Sequence, residues 1–315
     1  MAYGGKMQAR LIETIDVSNT LGEGVLFRPS DSTVWWSDIQ QSKLYCMQWP
    51  SLKIEIFEAP QRICSFSFIE GRDDILLVAF ETGMALYAPE TGQLNWLSQM
   101  FERGSGVRMN DGRTDAAGRF WVGSLVERPL EEGEAPSAQL YCTNAHGECA
   151  SKKQGVHISN GLCWAPDNQT LYFADSPTGI IQRASFDLAT GNVGVFEDLY
   201  HVEGGFPDGA ITDASGMYLS AIWGGSCVLE IDPTGQKRDE INLPASQITC
   251  LALGGERGNI MFVTSAKDGL ETDASGACVE AKAGSLFILE TDKMTTPSRR
   301  ASIAQNKLAT IGLEM

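Results

Sequence analysis

One turn signal recurs along the chain, and it limits the available folds more than any other feature. It is read at Pro29-Ser30-Asp31, Gly71-Arg72-Asp73, Asp115-Ala116-Ala117-Gly118, Pro166-Asp167-Asn168, Asp213-Ala214-Ser215-Gly216 and Glu256-Arg257-Gly258. The spacing is roughly 40 to 50 residues, the period of propeller blades. A short apolar run follows each turn, as in Thr33-Val34-Trp35-Trp36, Phe120-Trp121-Val122 and Ile260-Met261-Phe262-Val263. A further strand and a second, glycine-bearing turn come next, as in Pro89-Glu90-Thr91-Gly92 and Asp232-Pro233-Thr234-Gly235; glycine supplies the positive φ that such hairpins need. No long segment has a 3.6-residue period. The pattern predicts an all-β protein, a six-bladed β-propeller that protects its sheet edges by radial repetition. One domain over 1–315 is expected, with 1–8 and about 295–315 flexible or ring-closing. Arg10-Leu11-Ile12-Glu13-Thr14-Ile15 is expected to close the ring against the last unit. The tail from Thr295, with Pro297, Arg299 and Arg300, is left open between pairing and fraying.

Composition removes several function classes. The chain has 24 Lys and Arg against 40 Asp and Glu, a formal charge of −16. A nucleic-acid binder carries a basic face, and none is found. No apolar run reaches membrane-spanning length, and Met1-Ala2-Tyr3-Gly4-Gly5-Lys6-Met7 lacks the apolar core of a signal peptide. The eight cysteines fall mostly in apolar strands and form no C-x-x-C pair. They are read as reduced, buried thiols of a cytoplasmic protein.

Four units set an oxygen-bearing residue just before their first turn: Glu23, Asn110, Asn160 and Asp208. In a propeller this is the start of the innermost strand, at one mouth of the central channel, so the four would face a common axis. Two carboxylates with amide oxygens suit a hard divalent cation. Taken singly, Asp111-Gly112, Asn160-Gly161 and Asp208-Gly209 are what a tight turn needs; at one phase of a repeat they favour a shared site. Arg108 alone would be a surface charge, and Glu127 is balanced between a solvated loop acid and a site residue. His157, His146 and His201 are read as turn or channel polar residues, and the Trp residues as core. No G-x-S-x-G, Walker, dinucleotide-binding or EF-hand pattern is present. No His or Cys/His spacing suits zinc.

Leu21-Gly22-Glu23-Gly24, Arg108-Met109-Asn110-Asp111-Gly112, Ile158-Ser159-Asn160-Gly161-Leu162, Phe206-Pro207-Asp208-Gly209 and Val263-Thr264-Ser265-Ala266-Lys267-Asp268-Gly269-Leu270 occur in this order. In this order and phase the chain, from Leu21 to Leu289, resembles the senescence marker protein/gluconolactonase/luciferin-regenerating (regucalcin-like) family. His157 departs from the family pattern.

The resemblance implies a propeller with one divalent metal ion in its channel, held by Glu23, Asn160 and Asp208. It implies that Arg108, Asn110 and Glu127 face the substrate and that Asp208 is the catalytic general base of a lactonase. The expected activity is metal-dependent hydrolysis of a sugar-acid lactone, a small-molecule partner, with no nucleic acid or membrane. Ca²⁺, Zn²⁺, Mg²⁺, Mn²⁺ and Fe²⁺ all stay open as the ion. Two alternatives stand beside it: organophosphorus-ester hydrolysis at the same site, and a non-catalytic calcium-binding propeller. The residues name neither the sugar, nor the ion, nor an oligomeric state. The loop Val126 to Ser137 is expected to shape the pocket and could overhang it.

Overall fold

The computed structural model describes residues 7–309. It is almost entirely β-structure. A 3₁₀ turn, Ser176–Thr178, and one α-helical turn, Gln305–Leu308, are the helices among the described residues.

The strands form antiparallel meanders that follow the sequence repeat. Gly22–Arg28, Thr33–Asp38, Lys43–Gln48 and Lys53–Glu58 make one four-stranded sheet. Ile63–Ile69 opens a second that runs through Gln93–Gln99, and Val107–Thr114 a third that runs through Cys149–Val156. The fourth begins at Ser159–Trp164; Glu197–His201 and the short Asn192–Val193 both pair with its third strand, Ile180–Asp187. Phe206–Thr212 through Lys237–Asn242 form another meander, and Gln247–Gly254, Ile260–Ala266 and Leu286–Thr291 the last. A single pair, Trp223 with Gln247, joins these two into one eight-stranded sheet. Ala9–Ile15 completes the last meander by pairing antiparallel with Leu286–Thr291, so the chain's beginning is tied to its far end.

The first strand of each meander is mostly buried, and Ile63–Ile69, Ser159–Trp164 and Gln247–Gly254 are buried throughout. Gly22–Arg28 packs beside Ile63–Ile69, which packs beside Val107–Thr114, and the sequence continues through Ser159–Trp164, Phe206–Thr212 and Gln247–Gly254 back to Gly22–Arg28. This closed circle is a propeller-like arrangement. Strands at the far side of each meander alternate or are largely exposed, as Lys53–Glu58 is, because one of their faces meets water.

Apolar residues on facing sheets fill the space between meanders. Trp121 and Trp164 are fully buried and meet edge to face with centroids 5.9 Å apart, with Phe186 5.7 Å from each. Burying such a ring contributes about 2–3 kcal/mol. All eight cysteines are free; Cys64, Cys142, Cys163, Cys227 and Cys250 are buried, whereas Cys46, Cys149 and Cys278 are partly exposed. No helix among the described residues is long and apolar enough to cross a membrane.

The tail pairs rather than frays over its described part. The Thr295 amide donates to the Gly258 carbonyl, Ala301 to Phe68, Ser302 to Gly118 and Ala304 to Ala145. It therefore crosses one end of the circle. The expectations for residues 1–6 and 310–315 lie outside the described residues.

Candidate active site

A repeated irregularity aims the site residues. In every meander the pairing between first and second strand slips register: between Glu23 and Leu26, Ile63 and Ser65, Met109 and Gly112, Asn160 and Cys163, Pro207 and Ala210, and Ile248 and Cys250. A bulge breaks the two-residue alternation and re-aims a side chain. Asp111-Gly112, Asn160-Gly161 and Asp208-Gly209 thus lie within strands at bulges, and are not hairpin turns. Glycine is required for distinct reasons. Gly161 has φ +66°, a left-handed conformation that favours glycine. At Gly209 a Cβ would lie 2.8 Å from the Cys250 sulfur and 2.9 Å from the Thr249 carbonyl oxygen, so the inner strands could not approach as closely.

Glu23, Arg108, Asn110, Asn160 and Asp208 line one cavity of about 380 Å³. All are buried, with 7%, 5%, 6%, 5% and 5% of their surface exposed. Leu21, Leu125, Ile158, Phe206 and Trp223 supply its apolar lining.

Hydrogen bonds tie the polar groups together. Asn110 Nδ2 donates to Asn160 Oδ1 at 3.1 Å and to the Ser159 carbonyl at 2.9 Å. Asn160 Nδ2 donates to Ser176 Oγ at 2.8 Å, and that hydroxyl donates to the Pro207 carbonyl at 2.7 Å. Arg108 Nη1 donates to Asn110 Oδ1 at 2.8 Å, and Arg108 Nε to Glu127 Oε1 at 3.1 Å. Glu127 also takes two bonds from Arg62, at 2.6 and 3.1 Å. Its carboxyl is held below the usual range by Arg62 first, against burial, with Arg108 adding to the effect. Glu127 stays outside the cavity lining and braces Arg108 from behind.

The two acids of the site are held differently. Burial pushes the Glu23 carboxyl up to about 8, with repulsion from Asp111 adding to it. Burial also raises Asp208 well above its ordinary value, reinforced by Glu23 and Asp111. Among the described residues neither carboxylate forms an ion pair, whereas Glu81 and Glu127 are both paired by arginine. Two buried acids left this way are costly unless something positive joins them.

The donor set fits a hard divalent cation. The described residues contain no group of three His, Cys, Asp or Glu that could hold a metal ion. Here two carboxylates and the Asn160 amide oxygen make up the donors, and oxygen donors are what such ions take. Glu23, Asn160 and Asp208 are the residues that could hold it.

Residue reasoning passed over several participants. Asp111 is buried and acts on both acids, and Arg113, one turn of alternation deeper, acts on Glu23 and Asp111. Their signal was adjacency to Asn110. Ser176, Gln40 and Asp268 also line the cavity; Gln40 Nε2 donates to Asp268 Oδ2 at 3.0 Å. These lie outside the repeated phase; of the three, only Asp268 falls in a stretch that carries the family resemblance, Val263 to Leu270. His157 is half-exposed and lies 3.0 Å from an Asp175 oxygen, outside the lining. No residue of 126–137 lines the cavity; the loop folds on itself through Arg128 and Glu134, which lie 2.6 Å apart.

Residues 21–267 match the model of the SMP-30/gluconolactonase/LRE-like region. Among curated relatives, L-arabinolactonase of Azospirillum brasilense is 30% identical over 283 residues, covering 88% of this chain and 90% of the relative. The 6-deoxy-6-sulfogluconolactonase of Pseudomonas putida is 30% identical over 255 residues, covering 79% and 84%. Among solved structures, a calcium-binding regucalcin from Agrobacterium tumefaciens superposes with a TM-score of 0.82 at 27% identity, covering 92% of this chain and 98% of that one.

Proposed function

The chain belongs to the SMP-30/gluconolactonase/LRE-like family, and from that premise we propose that it hydrolyses a sugar-acid lactone to the free acid in a metal-dependent reaction. It is a lactone-hydrolysing enzyme, as relatives named for that activity are. The eight-stranded sheet counts as two blades joined by one residue pair, so that six blades surround the channel, five of four strands and one that adds the short Asn192–Val193 as a fifth. One observation carries the metal-dependent reading: Glu23 and Asp208 are buried in one cavity with raised proton affinity, and no cation among the described residues is paired to either.

Glu23, Asn160 and Asp208 would hold a divalent cation. When bound, such an ion supplies Lewis-acid polarisation of the lactone carbonyl. Asp208 accepts a proton from the attacking water as its oxygen bonds to the carbonyl carbon. The ring carbon–oxygen bond then breaks, and that proton goes to the departing ring oxygen. A hydroxy acid results, and no redox change is involved. Arg108, held in place by Glu127 and Asn110, donates to the charge that develops on the carbonyl oxygen. Asn110 keeps the Asn160 oxygen in position, and Glu127 acts through Arg108 on substrate placement. The apolar residues limit water around the reacting groups.

The test is a proton-release assay on a panel of aldonolactones, before and after chelation and readdition of single metals. Chelator-sensitive turnover supports the reading. Absence of turnover on every lactone with every metal refutes it.

A further inference from the structure

A second, larger cavity of about 530 Å³ lies at the opposite ends of the inner strands, beneath the C-terminal tail, and we propose that it binds a small organic carboxylate held by Arg113 and Arg299. The proposal does not depend on the lactonase reading, because the two cavities share no lining residue.

The argument begins with charge. The chain has 40 acidic side chains against 24 Lys and Arg, so an arginine has acids to spare around it. Yet among the described residues neither Arg113 nor Arg299 forms an ion pair, while Arg28, Arg62, Arg108 and Arg119 all do. Arg113 donates to the Leu251 carbonyl at 3.1 Å, the Cys250 sulfur at 3.2 Å and, more loosely, the Val25 carbonyl at 3.4 Å. Its Nε is buried without a partner. Arg299 makes one hydrogen bond, to Asn168 Oδ1 at 2.8 Å, and lies over the Trp164 ring, 5.4 Å from its centroid. The carboxylate among the lining residues is Glu256; Arg257, next to it in sequence, pairs with Glu290 at 3.6 Å.

Asp111 and Glu23 act on Arg113 through space, but among the described residues neither pairs with it directly, so its fork of donors is open to a carboxylate, the partner that fork fits. Both cations act on the buried Cys163 thiol, which lines the same cavity, so their charges converge there. The rest of the lining selects among anions. Phe27, Phe66, Phe68 and Trp164 give flat apolar walls. Such walls favour a carboxylate on an apolar body over a compact, fully hydrated anion such as phosphate. The tail closes one side: Thr295 is bonded to Gly258 at 2.8 Å and Ala301 to Phe68 at 2.8 Å.

The probe is benzoate, followed by calorimetric titration into the full chain. Saturable binding at one site is expected, weakened about tenfold or more by Arg299→Gln, since a charge-assisted bond is lost. Ser298→Asp, which sets a negative charge at the exposed rim without removing a packed group, is expected to weaken it as well. It carries the test if Arg299→Gln does not fold. Asp208→Ala is expected to leave benzoate binding unchanged. The proposal is overturned by absence of saturable binding, by affinity unchanged in the folded variants, or by loss of binding in Asp208→Ala, which would assign benzoate to the other cavity.

Discussion

At one end of the inner strands Glu23 and Asp208 line a cavity, and at the other Arg113 and Arg299 do, and among the described residues none of the four forms an ion pair. The two ends are close along the chain, for Asp111 and Arg113 sit two residues apart on Val107–Thr114. The bulge between Met109 and Gly112 directs Asn110 toward one end, while Arg113 lines the cavity at the other. The comparison teaches that the inner strands present two acids to one cavity and an arginine to the other, close enough for Arg113 to act on Glu23 and Asp111 without pairing directly with either.

The most severe way to break this contrast is Asp208→Ala. It is expected to lower lactone turnover by about a thousandfold or more, since base and cation ligand are lost together. Divalent-cation binding, followed by calorimetry, should vanish with it. Arg108→Ala comes next, with kcat/KM falling about a hundredfold, the scale of one lost oxyanion donor. Its cation affinity should stay close to that of the unaltered protein; a parallel loss of both would make Arg108 a structural prop. Glu127→Gln should cost less, about tenfold. It leaves Arg108 in place with a weaker brace, and the loss is expected mainly in KM.

A pH series sharpens the same contrast without mutation. The Glu23 carboxyl, pushed up to about 8 from an ordinary 4.5, is protonated over most of the neutral range when no cation is present. A raised folded-state value means that its contribution to stability is fully present below about 4.5 and is lost as pH rises through about 8. The metal-free protein is therefore expected to melt at a lower temperature at pH 9 than at pH 6 from this group. A divalent cation takes the ionised form, so its stabilising effect should be larger at pH 9. Thermal unfolding with and without the cation at both values checks the sign. The smallest effect belongs to the other end of the channel: Arg299→Gln should leave lactone turnover within about twofold, because distant sites act independently.

Much of this was legible in the residues. The turn signal at Pro29, Pro166 and Asp213 marks the hairpin after each first strand. The phase of Glu23, Asn110, Asn160 and Asp208 brought together groups that do line one cavity. What stayed hidden has physical causes. Asn160-Gly161 reads locally as a hairpin turn, and only tertiary pairing with Tyr172 and Ala174 makes it a bulge. Asp111 and Arg113 differ from surface charges only through neighbours far along the chain, such as Leu162 and Leu251. The tail has no periodicity of its own. Its order comes from bonds to Phe68 and Gly118, more than 180 residues away in sequence.

The central claim is that Glu23, Asn160 and Asp208 together hold one divalent cation that lactone opening requires. The most direct measurement is turnover of an aldonolactone by chelated protein as a single metal is returned in known equivalents, run beside Asp208→Asn. Turnover is expected to disappear on chelation and to return in full at one equivalent, with no recovery in the variant. Undiminished turnover after complete metal removal would contradict the account.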